Sequence, residues 1–250
     1  MIVQKTAEEL KKMRAAGRIS QRALRKAGEA VEPGVSTSEL DAIVRKYIEE
    51  QGATPSFLGY GGFPASACIS VNNVVVHGIP SKKQILKQGD IVSIDVGAYF
   101  EGYHGDNAWT FPCGDIDKKS QMLLDTTREA LYEGIRKAKA GARIGDIGYA
   151  VQKYAELRSY SVVRDYTGHG VGAKLHEAPN VPNYGKPGKG ALLIPGMAIA
   201  IEPMINAGTH KVLVMPDGWT AVTADGKRSA HFEHTIAITA DGPLILTCAD

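Results

Sequence analysis

Along the first fifty residues, apolar positions recur at helical spacing. Thr6-Ala-Glu-Glu9 has the form of a capping box, and Leu10, Met13, Ile19 and Ala23 share one face of the segment it opens, with lysine and arginine on the others. This predicts a helix from Thr6 to about Ala30, broken by Pro33-Gly34. Ser36-Thr-Ser-Glu39 is a second capping box. Behind it Leu40, Ile43, Val44, Tyr47 and Ile48 follow the i, i+3, i+4, i+7, i+8 spacing of an amphipathic helix that ends near Gly52.

The pattern returns 107 residues later. Gly34 followed by Leu40, Ile43, Val44 and Tyr47 is matched by Gly141 followed by Ile147, Ala150, Val151 and Tyr154, and Lys46 and Glu49 by Lys153 and Glu156. The strand-like Gln88-Gly-Asp-Ile-Val-Ser-Ile-Asp95 aligns at the same offset with Pro195-Gly-Met-Ala-Ile-Ala-Ile-Glu202. A helix and a strand sharing one offset point to two similar halves, about 1–115 and 116–250, within a single domain spanning 1–250. Each half reads as helices followed by strands. The expected fold class is α+β, a pseudo-twofold arrangement with a curved, mainly antiparallel sheet and covering helices.

Composition narrows the class. Of 250 residues, 44% are apolar and 22% charged, enough to bury a sizeable core. Twenty-nine basic against 27 acidic residues leave a net charge of +2, no footprint for a nucleic acid or a membrane surface. Cys68, Cys113 and Cys248 are widely spaced with no Cys-x-x-Cys pair, so reduced thiols in a cytoplasmic protein are expected. No apolar run reaches the length that crosses a bilayer.

The informative acids sit in apolar strands. Asp95 lies in Ile-Val-Ser-Ile-Asp-Val-Gly, Glu202 in Met-Ala-Ile-Ala-Ile-Glu-Pro-Met-Ile, and Glu233 in Ala-His-Phe-Glu-His-Thr-Ile. Asp106 precedes Asn-Ala-Trp-Thr-Phe, and a turn near Gly102 would bring it beside Asp95. A lone strand acid is more often edge-facing or ion-paired. Two acids at matching positions of a repeat, each followed by another on the next strand, favour a site. Buried carboxylates either neutralise or hold a cation. Four of them with one imidazole suit a harder first-row divalent ion, and four exceed what one ion needs, so two ions are expected. His169, in Gly168-His-Gly-Val-Gly172, is the candidate imidazole; His176 follows seven residues on, and His77 ends an apolar strand. His104, His210, His231 and His234 are expected to be surface or hydrogen-bonded core residues.

These segments together resemble the type I methionine aminopeptidases, enzymes of the pita-bread fold. The resemblance runs from Met13-Arg-Ala-Ala-Gly17 to Phe232-Glu-His-Thr-Ile236, and Tyr166-Thr-Gly-His-Gly-Val-Gly172, His176 and Val181-Pro-Asn-Tyr184 fit the family signature. It implies that Asp95, Asp106, His169, Glu202 and Glu233 ligate two divalent ions (cobalt, manganese, iron or zinc), with Asp106 and Glu233 bridging. It implies catalytic roles for His77, His176 and Glu202: Glu202 moves the proton of the attacking water, His176 stabilises the oxyanion, and His77 contacts the peptide. The methionine pocket maps to Phe57, Tyr60, Phe63, Cys68, Leu175 and Trp219, and a sodium or potassium site to Asn72, Val74 and Ser229. Phe57 and Phe63 stand where family members often carry Cys and Tyr, Gly61 where some have His, and Leu175 replaces an aromatic. The implied substrates are N-terminal methionine peptides and nascent chains, met as a monomer, with the ribosome as a partner. Two alternatives remain at this point: a prolidase or Xaa-Pro aminopeptidase of the same fold, and a non-catalytic pita-bread protein that binds peptides. Loss of ligand residues would mark the latter, and all five positions here hold competent side chains.

Overall fold

Both capping boxes close. The Thr6 hydroxyl accepts from the Glu9 backbone N–H (3.3 Å) while the Glu9 carboxylate accepts from the Thr6 N–H (2.7 Å), and helix α1 runs over Ala7–Glu29. Ser36 and Glu39 exchange the same pair of bonds at the head of α2, Thr37–Glu50. The structure, a computed structural model, describes residues 2–248. It adds a helix that the apolar spacing did not reveal, α3 over Lys118–Lys137. Its buried face includes Ser120, Thr126, Thr127 and Gly134 among Leu123, Leu124, Ala130, Leu131 and Ile135, which blurs the hydrophobic periodicity. Helix α4, Ile144–Glu156, begins 107 residues after α2.

The repeat extends to individual hydrogen bonds. Gly34 N–H donates to Leu86 O and Gly141 N–H to Leu193 O, each at 2.9 Å. Leu86 N–H to Val35 O and Leu193 N–H to Ala142 O are each 2.8 Å; Thr37 N–H to Gln84 O and Ile144 N–H to Ala191 O are each 3.0 Å. Isolated bridges Ser36–Ile85 and Arg143–Leu192 keep the same offset.

Every registered strand pair among the described residues is antiparallel, as expected, but the sheet is divided into four pieces. In the first half, Ile91–Phe100 pairs with Tyr103–Pro112 across a two-residue turn and with Ala67–Val71 and Thr54–Pro55 on its other edge. Glu101 (φ 49°) and Gly102 (φ 88°) both take the left-handed conformation that a tight hairpin of this length demands. In the second half, Ala198–Ile201 lies between His234–Thr239 and Gly168–Gly170, which carries Glu177–Val181 outside it.

Alternation sorts the side chains. Val92, Ile94, Val96 and Ala98 join Leu40, Val44 and Ile48 in a core under α1 and α2. Ile199, Ile201, Ile236 and Ile238 join Leu131, Ile147 and Val151 in a second core under α3 and α4. Trp109 packs against both, with its ring centroid 4.6 Å from that of Phe232. The opposite sheet faces carry the acids.

Helix α1 lies unusually close to the hairpin. A Cβ on Gly105 would fall 2.3 Å from Gly17 N and 2.4 Å from Gly17 Cα, so backbone meets backbone where Gly105 turns one face to α1 and Asp106 turns the other way. Gly105→Ala is expected to destabilise the fold by about 1–3 kcal/mol through overpacking. Urea unfolding measures it, and an unchanged midpoint would refute this close approach.

Candidate metal centre

Asp95 and Asp106 share one face of the first hairpin. Gly97 is the direct partner of Asp106 and Ala108 that of Asp95, so the two carboxylates are diagonal neighbours, as the turn near Gly102 predicted. Glu202 directly follows the Ala198–Ile201 strand, and Glu233 directly precedes His234, the partner of Ile201. The second pair of acids is thus held by a hairpin-like arrangement in the second half.

Three contacts bring the two pairs together. Glu233 N–H donates to Ala108 O (2.8 Å). The Thr235 hydroxyl donates to Asp106 O (2.7 Å) and accepts from Asp106 N–H (3.2 Å). Thr110 repeats this hydroxyl bridge one step along, donating to His231 O (2.8 Å) and accepting from His231 N–H (3.0 Å). Asn183, within the Val181–Tyr184 motif, fixes the backbone of Glu202 by donating to its carbonyl (2.9 Å).

His169 completes the cluster. Glycine on either side lets its short strand slot between neighbours: a Cβ on Gly168 would lie 2.3 Å from Ala200 O, and one on Gly170 2.4 Å from Ala178 O. The His169 Nδ1–H donates to Gly170 O (2.9 Å), which leaves Nε2 as a lone pair 3.6 Å from Glu202 Oε1 and 3.8 Å from Asp106 Oδ2. Ligand atoms of Asp106, His169 and Glu233 all lie within 4.8 Å of one another.

The electrostatics call for protons on the acids or a cation between them. Burial pushes Asp95, Glu202 and Glu233 well above the carboxylate range, with neighbouring carboxylates adding to the rise, and burial lifts Asp106 to about 7. Burial and the adjacent His176 hold His169 at about 3, so the imidazole is neutral and offers no charge. Among the described residues, no lysine or arginine is paired with any of the four acids. Asp95 Oδ1, Asp106 Oδ1 and Glu233 Oε1 are buried without a hydrogen-bond partner. Carboxylates in such a setting cost several kcal/mol each unless a positive charge satisfies them. The donor set fits divalent ions.

His231 is a residue that sequence reading missed. The sequence pattern predicts a surface or ordinary core histidine; instead it is 1% exposed, with Nε2 unpartnered and 3.5 Å from Glu202 Oε2. Its place two residues before Glu233, on the strand paired with Met204–Asn206, was the available signal. His234 fits the plainer reading, bonding Thr247 Oγ1 (2.9 Å) and facing Trp109 and Tyr132. His104 does too, with Nδ1 2.8 Å from Ser56 Oγ.

A cavity of about 160 Å³ opens onto the acids. Phe57, Phe63, Cys68 and Leu175 form its buried apolar wall, with Trp219 edge-on to Phe63 (5.2 Å) and Tyr60 exposed at the mouth. Cys68 is the direct cross-strand partner of Asp95, so the pocket and the acid cluster are continuous. Burial and the surrounding acids push the Cys68 thiol well up, keeping it protonated. His77, at φ 59°, stands edge-on to Tyr166 (5.3 Å) and lines the same cavity. His176 lies 4.1 Å ring to ring from His169, its Nδ1 2.8 Å from the Tyr60 hydroxyl. Asn72 and Ser229 meet apart from this cavity, where Ser229 N–H donates to Asn72 O (2.8 Å).

With this geometry, the sequence matches metallopeptidase family M24 over residues 11–240, and the chain belongs to that family. Within the family it is similar to methionine aminopeptidase 1 of Bacillus subtilis, 54% identical over 99% of both chains. The crystal structure of methionine aminopeptidase from Thermotoga maritima superposes with a TM-score of 0.97 at 46% identity, covering 99% of each chain, which establishes the pita-bread fold. A prolidase from Pyrococcus horikoshii is more distant: TM-score 0.79, 26% identity, covering all of this chain and 65% of that one.

Divalent ions displace protons when they bind carboxyls of raised pKa. Because Asp106 in the metal-free protein holds its proton up to about pH 7, and Asp95, Glu202 and Glu233 are also raised, apparent metal affinity is expected to rise as pH is raised from 5 to 7. The slope should be roughly tenfold per pH unit for each proton displaced. Calorimetric titration in two buffers of different ionisation enthalpy counts those protons; binding without proton release at pH 6 contradicts the raised pKa.

Proposed function

We propose that the chain is a dinuclear metal aminopeptidase, one catalytic domain over 1–250, that removes the N-terminal methionine from peptides and nascent proteins. The observation that carries this reading is the continuity of a thioether-sized apolar pocket with a cluster of four buried acids, through the Cys68–Asp95 pair. Aromatic faces, a neutral thiol and Leu175 suit an unbranched, polarizable side chain. The identity to methionine aminopeptidases along the full chain supports the same choice.

Asp106 and Glu233, at the junction of the two halves, would hold both ions; Asp95 would complete one site, and His169 with Glu202 the other. Cobalt, manganese, iron or zinc each suits carboxylate-rich ligation with one imidazole. Lewis acidity toward water and the scissile carbonyl is what bound divalent ions supply here. The remaining steps fall to side chains of the chain itself. Glu202, whose carboxyl holds protons readily, accepts the proton of the attacking water and returns it to the leaving amine. His176 Nδ1 shares a hydrogen bond with the Tyr60 hydroxyl, and with Tyr60 as its donor His176 would carry its proton on Nε2 and hydrogen-bond the carbonyl oxygen as charge develops there. His77, neutral because burial holds it at about 4, contacts the peptide next to the scissile amide. A sodium or potassium ion beside Asn72, Val74 and Ser229 would brace the loops that meet there, supported by the Ser229–Asn72 contact.

The cellular reading is a cytoplasmic monomer acting on chains emerging from the ribosome. Buried, unpaired Cys68 and Cys113 fit a reducing compartment, and no helix among the described residues is long and apolar enough to cross a membrane. The proline-specific alternative is not favoured, since the prolidase likeness is far weaker than the methionine aminopeptidase one. Retention of all five ligand-competent side chains argues against a non-catalytic binder.

Release of methionine from Met-Ala peptides, measured across several metals, is expected to be rapid, with Xaa-Pro bonds left intact. Glu202→Gln should lower kcat about 10²–10⁴-fold, the usual share of a general acid–base group. Cleavage of Xaa-Pro bonds in preference to Met-Ala would overturn the substrate assignment.

A further inference from the structure

Lys5 is the only lysine or arginine among the described residues that is buried, at 7% exposure, and it lies outside every motif discussed above. Its Nζ sits 2.7 Å from Glu177 Oε2, with side-chain exposures of 3% and 10% for the two partners. The segment carrying Lys5 is itself tied down, Lys5 N–H donating to Gly196 O (2.7 Å). Glu177 follows His176 directly. Its other oxygen, Oε1, accepts from Lys174 N–H (3.2 Å), and Gly172 N–H donates to Lys174 O (3.1 Å), so the carboxylate closes the turn that presents Leu175 and His176. The fit leaves no slack: a Cβ on Gly172 would lie 2.4 Å from Glu177 Oε1 and 2.7 Å from Lys5 Cε.

We infer that the buried Lys5–Glu177 pair is a positioning device for the chemistry proposed above. It locks the 172–177 turn so that Leu175 closes the pocket and His176 meets the scissile carbonyl oxygen. Neither residue touches substrate; Lys5 acts through Glu177, and Glu177 through the turn. The inference rests on the role given to His176 above. Removing Lys5 alone strands a buried carboxylate, which must turn outward to find water and takes the turn with it. Removing both charges, with an amide in place of the Glu177 carboxylate, leaves a side-chain carbonyl that still accepts from Lys174 N–H.

The test uses Lys5→Met, Lys5→Arg, Glu177→Gln and the double variant Lys5→Met/Glu177→Gln in the metal-loaded, full-length protein. Two readouts are followed: methionine release and hydrogen exchange of residues 172–177. Lys5→Met should lower kcat about tenfold to a hundredfold, as a misplaced transition-state donor does, with a smaller rise in KM as Leu175 loosens the pocket. Exchange at the turn should rise, Lys5→Arg should stay near wild type, and the double variant should recover most of both losses. Wild-type kcat and exchange in Lys5→Met, or a deficit that persists undiminished in the double variant, would overturn the inference. Loosened exchange in Lys5→Met with recovery in the double variant, in a protein whose wild type releases no methionine, would uphold the lock and sink the functional reading instead.

Discussion

Four carboxylates facing one another in a water-poor cavity repel, and among the described residues no lysine or arginine pairs with them to relieve it. This single constraint organises the molecule. Each acid needs a stiff backbone behind it, because a flexible one would swing its side chain out to solvent. The sheets supply that stiffness, and the helices α1 to α4 supply the apolar weight that keeps the sheets in place. The imidazoles nearby are held neutral by the same burial, so they cannot serve as counter-charges. Ions from outside are what can balance the site.

Alternation along the strands lets one segment serve both needs. In Ile91–Phe100 the even-numbered positions are hydrocarbon and face the helices, while Ser93, Asp95 and Gly97 share the opposite face, from which Asp95 lines the cavity. The same division holds around Glu202, with Ile199 and Ile201 turned to the α3–α4 core. Pocket and acids therefore need no separate scaffold. Cys68, one strand away from Asp95, belongs to the apolar wall purely because it lies opposite in register.

Much of this was legible in the sequence. The 107-residue offset foretold two similar halves, and the structure carries it further to hydrogen bonds of matching length, because short turns between a helix and a strand allow few solutions. The four proposed acid ligands were visible because acids are rare in apolar strands, and His169 because glycines flank it. Helix α3 was not visible, since its buried face mixes serine, threonine and glycine with leucine. His231 stayed hidden because a lone histidine in a strand carries no spacing signal; only pairing with the strand after Glu202 shows what it faces. The Lys5–Glu177 pair spans 172 positions and lies beyond any local pattern.

The threonine bridges at Asp106 and His231, with the Glu233–Ala108 bond, join the halves at the very place where the acids meet. Neither half alone brings together the four acids that meet there. A chain emerging N-terminus first would thus carry an incomplete ligand set until its last strands arrive. On the proposed reading, metal capture would then report that the last strands are in place, and a prematurely truncated chain would be left inert rather than half-active.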